Sequence, residues 1–376
     1  MQQLTLEFAD QRISLTGHDA ILKKVLSTLS PFFKTYDDCE PKNISCYFML
    51  NPVENIYSLL QGLNIELDYE RPYRLPPVLI TDESIGEGIR ILRYTKKSKI
   101  ILYEKTVEQD TILIEINEDG QVWNVSYQIE DVLQYRTISR AIKYVVGCLL
   151  YKKGCQFFHA SGINYQENNY IFYGRKGSGK TSNMFKSCVH LGADFISDDT
   201  IVVWLSDGKL TFSGWPKRVG LNLSAISNDN IDRLNYDFNR SQNLDYKKSL
   251  QYVGKHLPPE QRKRIEMDAI EFLQIFTVKY SSNNNNAMFI NLDFDIRHEV
   301  NMKSSSLDTT ELFMEEKNKK YFIDYLSLTP DVNESIEADV MKLLHQQHSY
   351  YLSYGAASLK DTSFISDLIN LRVNIS

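Results

Sequence analysis

No run of about 18 or more apolar residues occurs in the chain, so no segment is expected to cross a bilayer as a helix. The opening residues, Met1-Gln-Gln-Leu-Thr-Leu-Glu-Phe8, lack both the basic start and the apolar core of a secretory signal. Cysteine is scarce and unpaired in pattern. The five residues Cys39, Cys46, Cys148, Cys155 and Cys188 are odd in number, widely spaced and form no C-x-x-C. That excludes a disulfide framework, a zinc ribbon and a thioredoxin-like pair. Free thiols fit a reducing compartment, so a cytoplasmic protein is expected. An excess of positive charge is also missing: 42 Lys and Arg stand against 48 Asp and Glu, a net charge of −6. A general nucleic-acid surface needs the opposite balance. The local basic run Gln261-Arg-Lys-Arg264 reads as a solvated helix face, and the 23 tyrosines show no regular spacing that would make a stacking platform. No internal repeat is evident.

What is present is ordinary globular composition, 43% hydrophobic and 24% charged, over 376 residues. That length suits two domains. Residues 1–130 read as a β-rich N-terminal domain. Ile89–Tyr94, Lys99–Glu104, Thr111–Ile116 and Gln121–Ser126 are β-branched and aromatic runs that suggest an antiparallel meander, with Glu118-Asp-Gly120 as turn chemistry. A helix is expected over Asp19–Leu29, and three prolines make Arg71–Pro77 an extended loop.

The period changes to helical between Asp131 and Tyr151, and the second domain, 131–376, is taken to begin there. A strand over Gln156–Ile163 follows, then Tyr170–Tyr173, a helix over Ser182–Leu191 with Gly192 as its C′ residue, and strands at Asp194–Ser197 and Ile201–Leu205. Further on, a helix is expected over Glu260–Leu273. Strands are expected at Ile275–Tyr280 and Ala287–Leu292, around the polar run Ser281–Asn286. Alternating helices and strands make this domain α/β.

The strand Tyr170–Tyr173 feeds into Gly174-Arg-Lys-Gly-Ser-Gly-Lys-Thr181, which satisfies the Walker A pattern G-x-x-x-x-G-K-[ST]. Glycines at 174, 177 and 179 let the backbone turn tightly, so successive N–H groups converge on one concavity. With the N-terminus of the next helix, including Ser178 and Ser182, that nest suits the phosphates of ATP. Lys180 has the reach for the β- and γ-phosphates, and the Thr181 hydroxyl suits Mg²⁺. A chance match is expected in on the order of one chain in a hundred of this length. The strand before and the helix after supply the context the motif demands.

Asp198-Asp199 ends a short strand about eighteen positions downstream of the loop. Ligands of open α/β sheets sit beyond the carboxyl ends of strands, so one carboxylate could hold Mg²⁺ and the other accept a proton. Asp also serves commonly in turns and caps, and two adjacent carboxylates call for a nearby cation. His159, at the end of the apolar pair Phe157-Phe158, is as readily a core histidine as a functional one. Arg175, Lys176 and Lys217-Arg218 could meet a transferring phosphate, although the Lys-Arg pair is more often a solvated turn.

The combination of His159-Ala-Ser-Gly-Ile163, the glycine loop and Gly192-Ala-Asp-Phe-Ile-Ser-Asp-Asp199 resembles the HPr kinase/phosphorylase family in order and spacing. The resemblance covers about residues 155–203. It implies a P-loop core related to phosphoenolpyruvate carboxykinases and transfer from ATP, with Mg²⁺, to a serine hydroxyl. Carried over, Asp198 is the general base, Asp199 its partner near the metal, and His159 the residue that orients the pair. Lys176 stands where the family loop usually has Ser. The glycine-containing segment used for the phosphorylase reaction has no counterpart, which speaks against dephosphorylation and against HPr itself as substrate. Divergent relatives resembling this family are kinases that tailor ribosomally made peptides, including lasso-peptide precursors, and place a dissimilar N-terminal domain before the core. The expectation is therefore a kinase acting on a serine of a peptide or protein, with residues 1–130 available for acceptor recognition. A small-metabolite kinase and a nucleotide-gated binding module are the alternatives. The sequence leaves the acceptor, ATP against GTP, and the oligomeric state open.

Overall fold

The computed structural model describes residues 1–37, 43–62, 87–94, 98–105, 110–128, 134–222, 264–282, 284–285, 287–295, 297–298, 300–312 and 334–355. The expected loop at 71–77 lies outside these residues. The fold is mixed α/β. The chain divides into two compact units, one built on Met1–Gly154 and the other on Cys155–Met314 and Ser335–Ser376.

The first unit carries β1 (Gln2–Phe8), β2 (Gln11–Gly17), α1 (Asp19–Leu29), β3 (Lys34–Asp37), β4 (Cys46–Val53), α2 (Ile56–Gly62), β5 (Glu87–Tyr94), β6 (Ser98–Lys105), β7 (Asp110–Asn117), β8 (Val122–Gln128) and α3 (Gln134–Lys152). Its eight strands form one sheet in the order β3-β1-β2-β4-β8-β7-β6-β5. β5 to β8 make the antiparallel meander expected from their alternation, while β2–β4 and β4–β8 pair in parallel. Along β8, Trp123, Val125 and Tyr127 point to one buried face, the period-two signature of a half-covered strand.

α3 belongs to this unit, so the division falls after Gly154 and not at 130/131 as the sequence suggested. The physical reason is its apolar stripe, Ile138, Ala141, Ile142, Val145 and Val146, all buried. The helix lies against α1, and Thr28 donates its hydroxyl hydrogen to Ser139 Oγ at 2.6 Å. A change of period marks a new element; it does not say which core that element covers.

The second unit carries β9 (Gln156–Phe158), β10 (Ser161–Tyr165), β11 (Asn168–Tyr173), α4 (Lys180–Leu191), β12 (Asp194–Ser197), β13 (Ile201–Ser206), β14 (Lys209–Gly214), β15 (Val219–Asn222), β16 (Arg264–Met267), α5 (Ala269–Phe276), β17 (Asn284–Asn285), β18 (Ala287–Phe294), β19 (Asn301–Ser304), α6 (Thr309–Leu312), α7 (Glu334–Leu344) and β20 (Ser349–Tyr354). Its main sheet has the order β12-β10-β11-β18-β20-β19. β11, β18 and β20 are parallel; β10 is antiparallel to both β11 and β12. β12, β11, β18 and β20 therefore end on one edge, the edge at which ligands of α/β sheets bind. A second sheet, β17-β14-β13-β9, faces the first. The core between them includes Phe158, Ile171, Tyr173, Val203, Phe212 and Phe289, with Val340 and Leu344 of α7 packed in.

Three local expectations change. The run Gln156–Ile163 is two strands, and they join different sheets. β9 pairs with β13 and β10 with β11, so His159-Ala160 is the crossing point. Of the helix expected over 260–273, residues 260–263 lie outside the described residues, and the rest is strand β16 followed by α5, which begins only at Ala269. Asp268 and Glu271 form a capping box there, a local signal that starts the helix at Ala269. The strand expected at 275–280 is the end of α5 and the left-handed Thr277, leaving only a single bridge from Tyr280 to Phe195. Among the described residues no helix is long and apolar enough to cross a membrane.

Candidate functional site

The glycine loop leaves the carboxyl end of β11 and closes directly into α4. Gly174, Gly177 and Gly179 all have positive φ, at 129°, 88° and 89°. At Gly174 a Cβ would also run into the carbonyl oxygen of Leu292 on the neighbouring parallel strand β18. The spacing of glycines in the motif is thus the spacing of positions that L side chains rarely adopt.

Two polar groups inside the loop are poised for an anion. Ser178 Oγ is buried and has no hydrogen-bond partner among the described residues. Lys180 is buried and its ammonium donates to the carbonyl oxygens of Gly174 at 2.7 Å and Arg175 at 3.1 Å. Burial lowers its pKa, opposed by the charges of Asp199, Asp198 and Glu311. Thr181 and Ser182 form the first turn of α4, where backbone N–H groups have no intrahelical partner and the helix dipole favours negative charge. Arg175 is mostly exposed and ion-paired with Glu311 of α6 at 2.9 Å; Lys176 faces solvent.

Asp198 and Asp199 are adjacent in sequence and differ in environment. Asp198 is 3% exposed. Its Oδ1 accepts from the Thr181 hydroxyl at 2.7 Å and from Ser161 Oγ at 2.8 Å, and its Oδ2 from the Gly220 N–H at 3.2 Å. Burial pushes its pKa up, the Thr181 hydrogen bond resists, and the neighbouring Asp199 charge adds to the rise. Asp199 stands in the left-handed region at φ 65°, which turns its side chain away from its neighbour's. Its carboxylate is 39% exposed, with His159 Nδ1 3.2 Å from Oδ1 and the Lys217 ammonium on Oδ2. Burial would raise its pKa, but Lys217 and His159 together hold it well below the usual carboxylate range.

His159 reaches this position because it is the crossing residue between the two sheets, with its backbone N–H bonded to the Leu312 carbonyl at 2.9 Å. The glycine loop, the acidic pair and His159 therefore meet at one edge. Lys217 joins them through Asp199, while Arg218 turns instead to Asp268 at 3.8 Å. Ser161 belongs to the His159–Ile163 run, but nothing in its local sequence marks it as a partner of Asp198. Gly220, Glu311, Asn183 and Tyr354 carry no motif at all.

The donor set fits Mg²⁺. That ion takes few protein ligands, usually one or two carboxylates, and fills the rest of its shell with phosphate oxygens and water. Thr181 and Asp198 provide two protein oxygens already held together, beside the loop where phosphates would sit. The chain matches no protein-family model, and no curated protein matches it.

Proposed function

We propose that this chain is a P-loop kinase of HPr kinase-like type, transferring the γ-phosphoryl group of ATP to a hydroxyl, with serine of a peptide or protein as the expected acceptor. The observation that carries the reading is the Thr181–Asp198 hydrogen bond of 2.7 Å. It joins the phosphate loop to the acidic pair, so a phosphate site and a carboxylate pair become one site. Orphaned Ser178 Oγ and the buried Lys180 ammonium support an anion in the loop.

The environments of the two carboxylates favour dividing their roles the other way from the family correspondence. Asp198, buried against the Thr181 hydroxyl, is the better metal-side group. Asp199, half-exposed and flanked by His159 and Lys217, is the better placed to meet an acceptor hydroxyl. Thr181 and Asp198 would hold Mg²⁺, which would supply positive charge to neutralise the phosphates. In the transfer, the acceptor oxygen bonds to the γ-phosphorus, the bond to the bridging oxygen breaks with its electrons leaving on ADP, and the acceptor proton passes to Asp199. A carboxylate held low is a weak base. Phosphoryl transfer through a loose transition state asks more for positioning than for strong proton abstraction. His159 and Lys217 supply that positioning.

The test uses γ-labelled ATP with Mg²⁺ and a library of serine-bearing peptides, comparing wild type with Lys180→Ala. Label on peptide serine that disappears in the variant supports the reading. ATP binding without transfer to any hydroxyl acceptor, peptide or small molecule, would instead favour a nucleotide-gated binding module.

A further inference from the structure

The loop's shape depends on a residue far away in sequence. Tyr354, the last residue of β20, is 1% exposed. Its hydroxyl donates to the Ser178 carbonyl oxygen at 2.5 Å and accepts from Asn183 Nδ2 at 3.0 Å. Asn183 Nδ2 also donates to the Gly179 carbonyl at 3.0 Å, and the Asn183 backbone N–H reaches the same oxygen at 2.9 Å. Both amide hydrogens of Asn183 and the one phenol hydrogen are thus committed to the loop or to each other. The phenol oxygen occupies the place where a Cβ on residue 179 would stand, so only glycine there admits it.

A planar trans peptide points its C=O and N–H in opposite directions. The Ser178 carbonyl and the Gly179 N–H share one such plane. The Gly179 carbonyl and the Lys180 N–H share the next. Holding both carbonyls on the Tyr354–Asn183 side turns both N–H groups the other way. These are the N–H groups that a phosphate loop offers to its anion, at a helix N-terminus where they have no intrahelical partner.

We propose that Tyr354 is a positioning residue of the nucleotide site, fixing two successive peptide planes of the loop through Ser178 and Asn183 so that the Gly179 and Lys180 N–H groups are preset for phosphate. This rests on the nucleotide reading above and adds a determinant of it. Burial raises the Tyr354 pKa, so the phenol stays a neutral donor over the working pH range. Its effect is on phosphate and not on base or acceptor, because peptide planes of the loop address only phosphate oxygens.

The comparison that isolates this role is with Tyr173, also fully buried. Its hydroxyl meets Ser349 Oγ at 3.3 Å and the Asp308 N–H at 3.3 Å, and neither is a loop peptide plane. The full-length chain is titrated with Mg·ATP and with Mg·tripolyphosphate by calorimetry, as wild type, Tyr354→Phe, Asn183→Ala, Tyr173→Phe and Lys180→Ala. Losing the phenol's two buried hydrogen bonds, to Ser178 and from Asn183, should weaken binding of both ligands about tenfold or more in Tyr354→Phe. Tyr173→Phe should stay within about twofold of wild type. If Tyr354→Phe does not fold, Asn183→Ala must show the same loss for both ligands. Wild-type affinity in Tyr354→Phe, or an equal loss in Tyr173→Phe, overturns the proposal. If Lys180→Ala loses binding while Tyr354→Phe keeps it, only the positioning role falls. If the wild-type chain binds neither ligand, the nucleotide reading falls with it.

Discussion

The Thr181 hydroxyl donates to Asp198 Oδ1 at 2.7 Å, joining the start of α4 to the end of β12. The contact exists because β12 and β11 run in the same direction with β10 between them, so their carboxyl ends share an edge. Asp198 also accepts from Ser161 and the Gly220 N–H, so this one carboxylate ties β10, α4 and β15 together beside the glycine loop. The expected consequences of that arrangement are separable by mutation.

Lys180→Ala removes the ammonium that bridges the Gly174 and Arg175 carbonyls. Loss of charge-assisted hydrogen bonds to phosphate predicts weaker Mg·ATP binding by about 10- to 100-fold with the fold retained. Calorimetry and circular dichroism measure the two halves of that statement. Unchanged affinity in a folded variant would remove the loop from the site.

The acidic pair should split by phenotype. If Asp199 is the base proposed above, Asp199→Asn is expected to lower phosphoryl transfer by about 10²–10⁴-fold while nucleotide affinity holds, because such a base acts on the acceptor and not on ATP. Asp198→Asn should instead raise the Mg²⁺ concentration needed for half-maximal binding, since its carboxylate partners Thr181. Transfer rates and Mg²⁺ titrations on both variants decide it; the reverse pattern would restore the roles carried over from the family resemblance.

Asp199 also predicts a pH dependence of stability. Its folded pKa lies below the unfolded value of 3.8, so its favourable contribution is present above that value and is lost as pH falls below it. Melting temperatures of wild type and Asp199→Asn should therefore differ most near neutrality and converge under acid. A gap that stays constant from pH 7 down to about 3 would show that the Lys217 and His159 pairing does not stabilise the carboxylate.

Packing behind the site is carried by aromatic rings. Phe185 on the inner face of α4 is fully buried, with ring centroids 5.1 Å from Phe276 and 6.3 Å from Phe272 of α5. Phe185→Ala should destabilise the chain by about 3–5 kcal/mol, seen as a lower urea midpoint. A shift under about 1 kcal/mol would mean that α5 closes over the cavity, which the range of core truncations makes the exception.

Local chemistry was enough for the parts that are local. α1 spans Asp19–Leu29 as its apolar spacing indicates, and Gly192 adopts the left-handed C-cap conformation at φ 72°. The glycines of the loop fall where φ is positive, because that requirement belongs to each residue's own backbone. The strand–loop–helix order around Gly174–Thr181 is likewise a property of contiguous residues. The start of α5 is set by the Asp268–Glu271 capping box, a signal inside the segment 260–273 that a reading of it as one helix passes over.

Tertiary structure decided the rest. From sequence, only the family resemblance assigned separate roles to Asp198 and Asp199; the left-handed backbone at Asp199 and the fold around Gly220 and Ser161 bury one and leave the other half-exposed. Lys217 becomes a partner of Asp199 only because β13 and β14 return the chain to the same edge. Tyr354 lies 176 residues from the carbonyl it holds, and no spacing rule connects them. Its place follows from the parallel pairing of β20 with β18 and of β18 with β11, which brings three strand ends together beside the loop. Sequence determined the conformations that single residues and short turns must adopt. Sheet order, which sums weak pairings across the whole unit, determined which distant side chains those turns would meet.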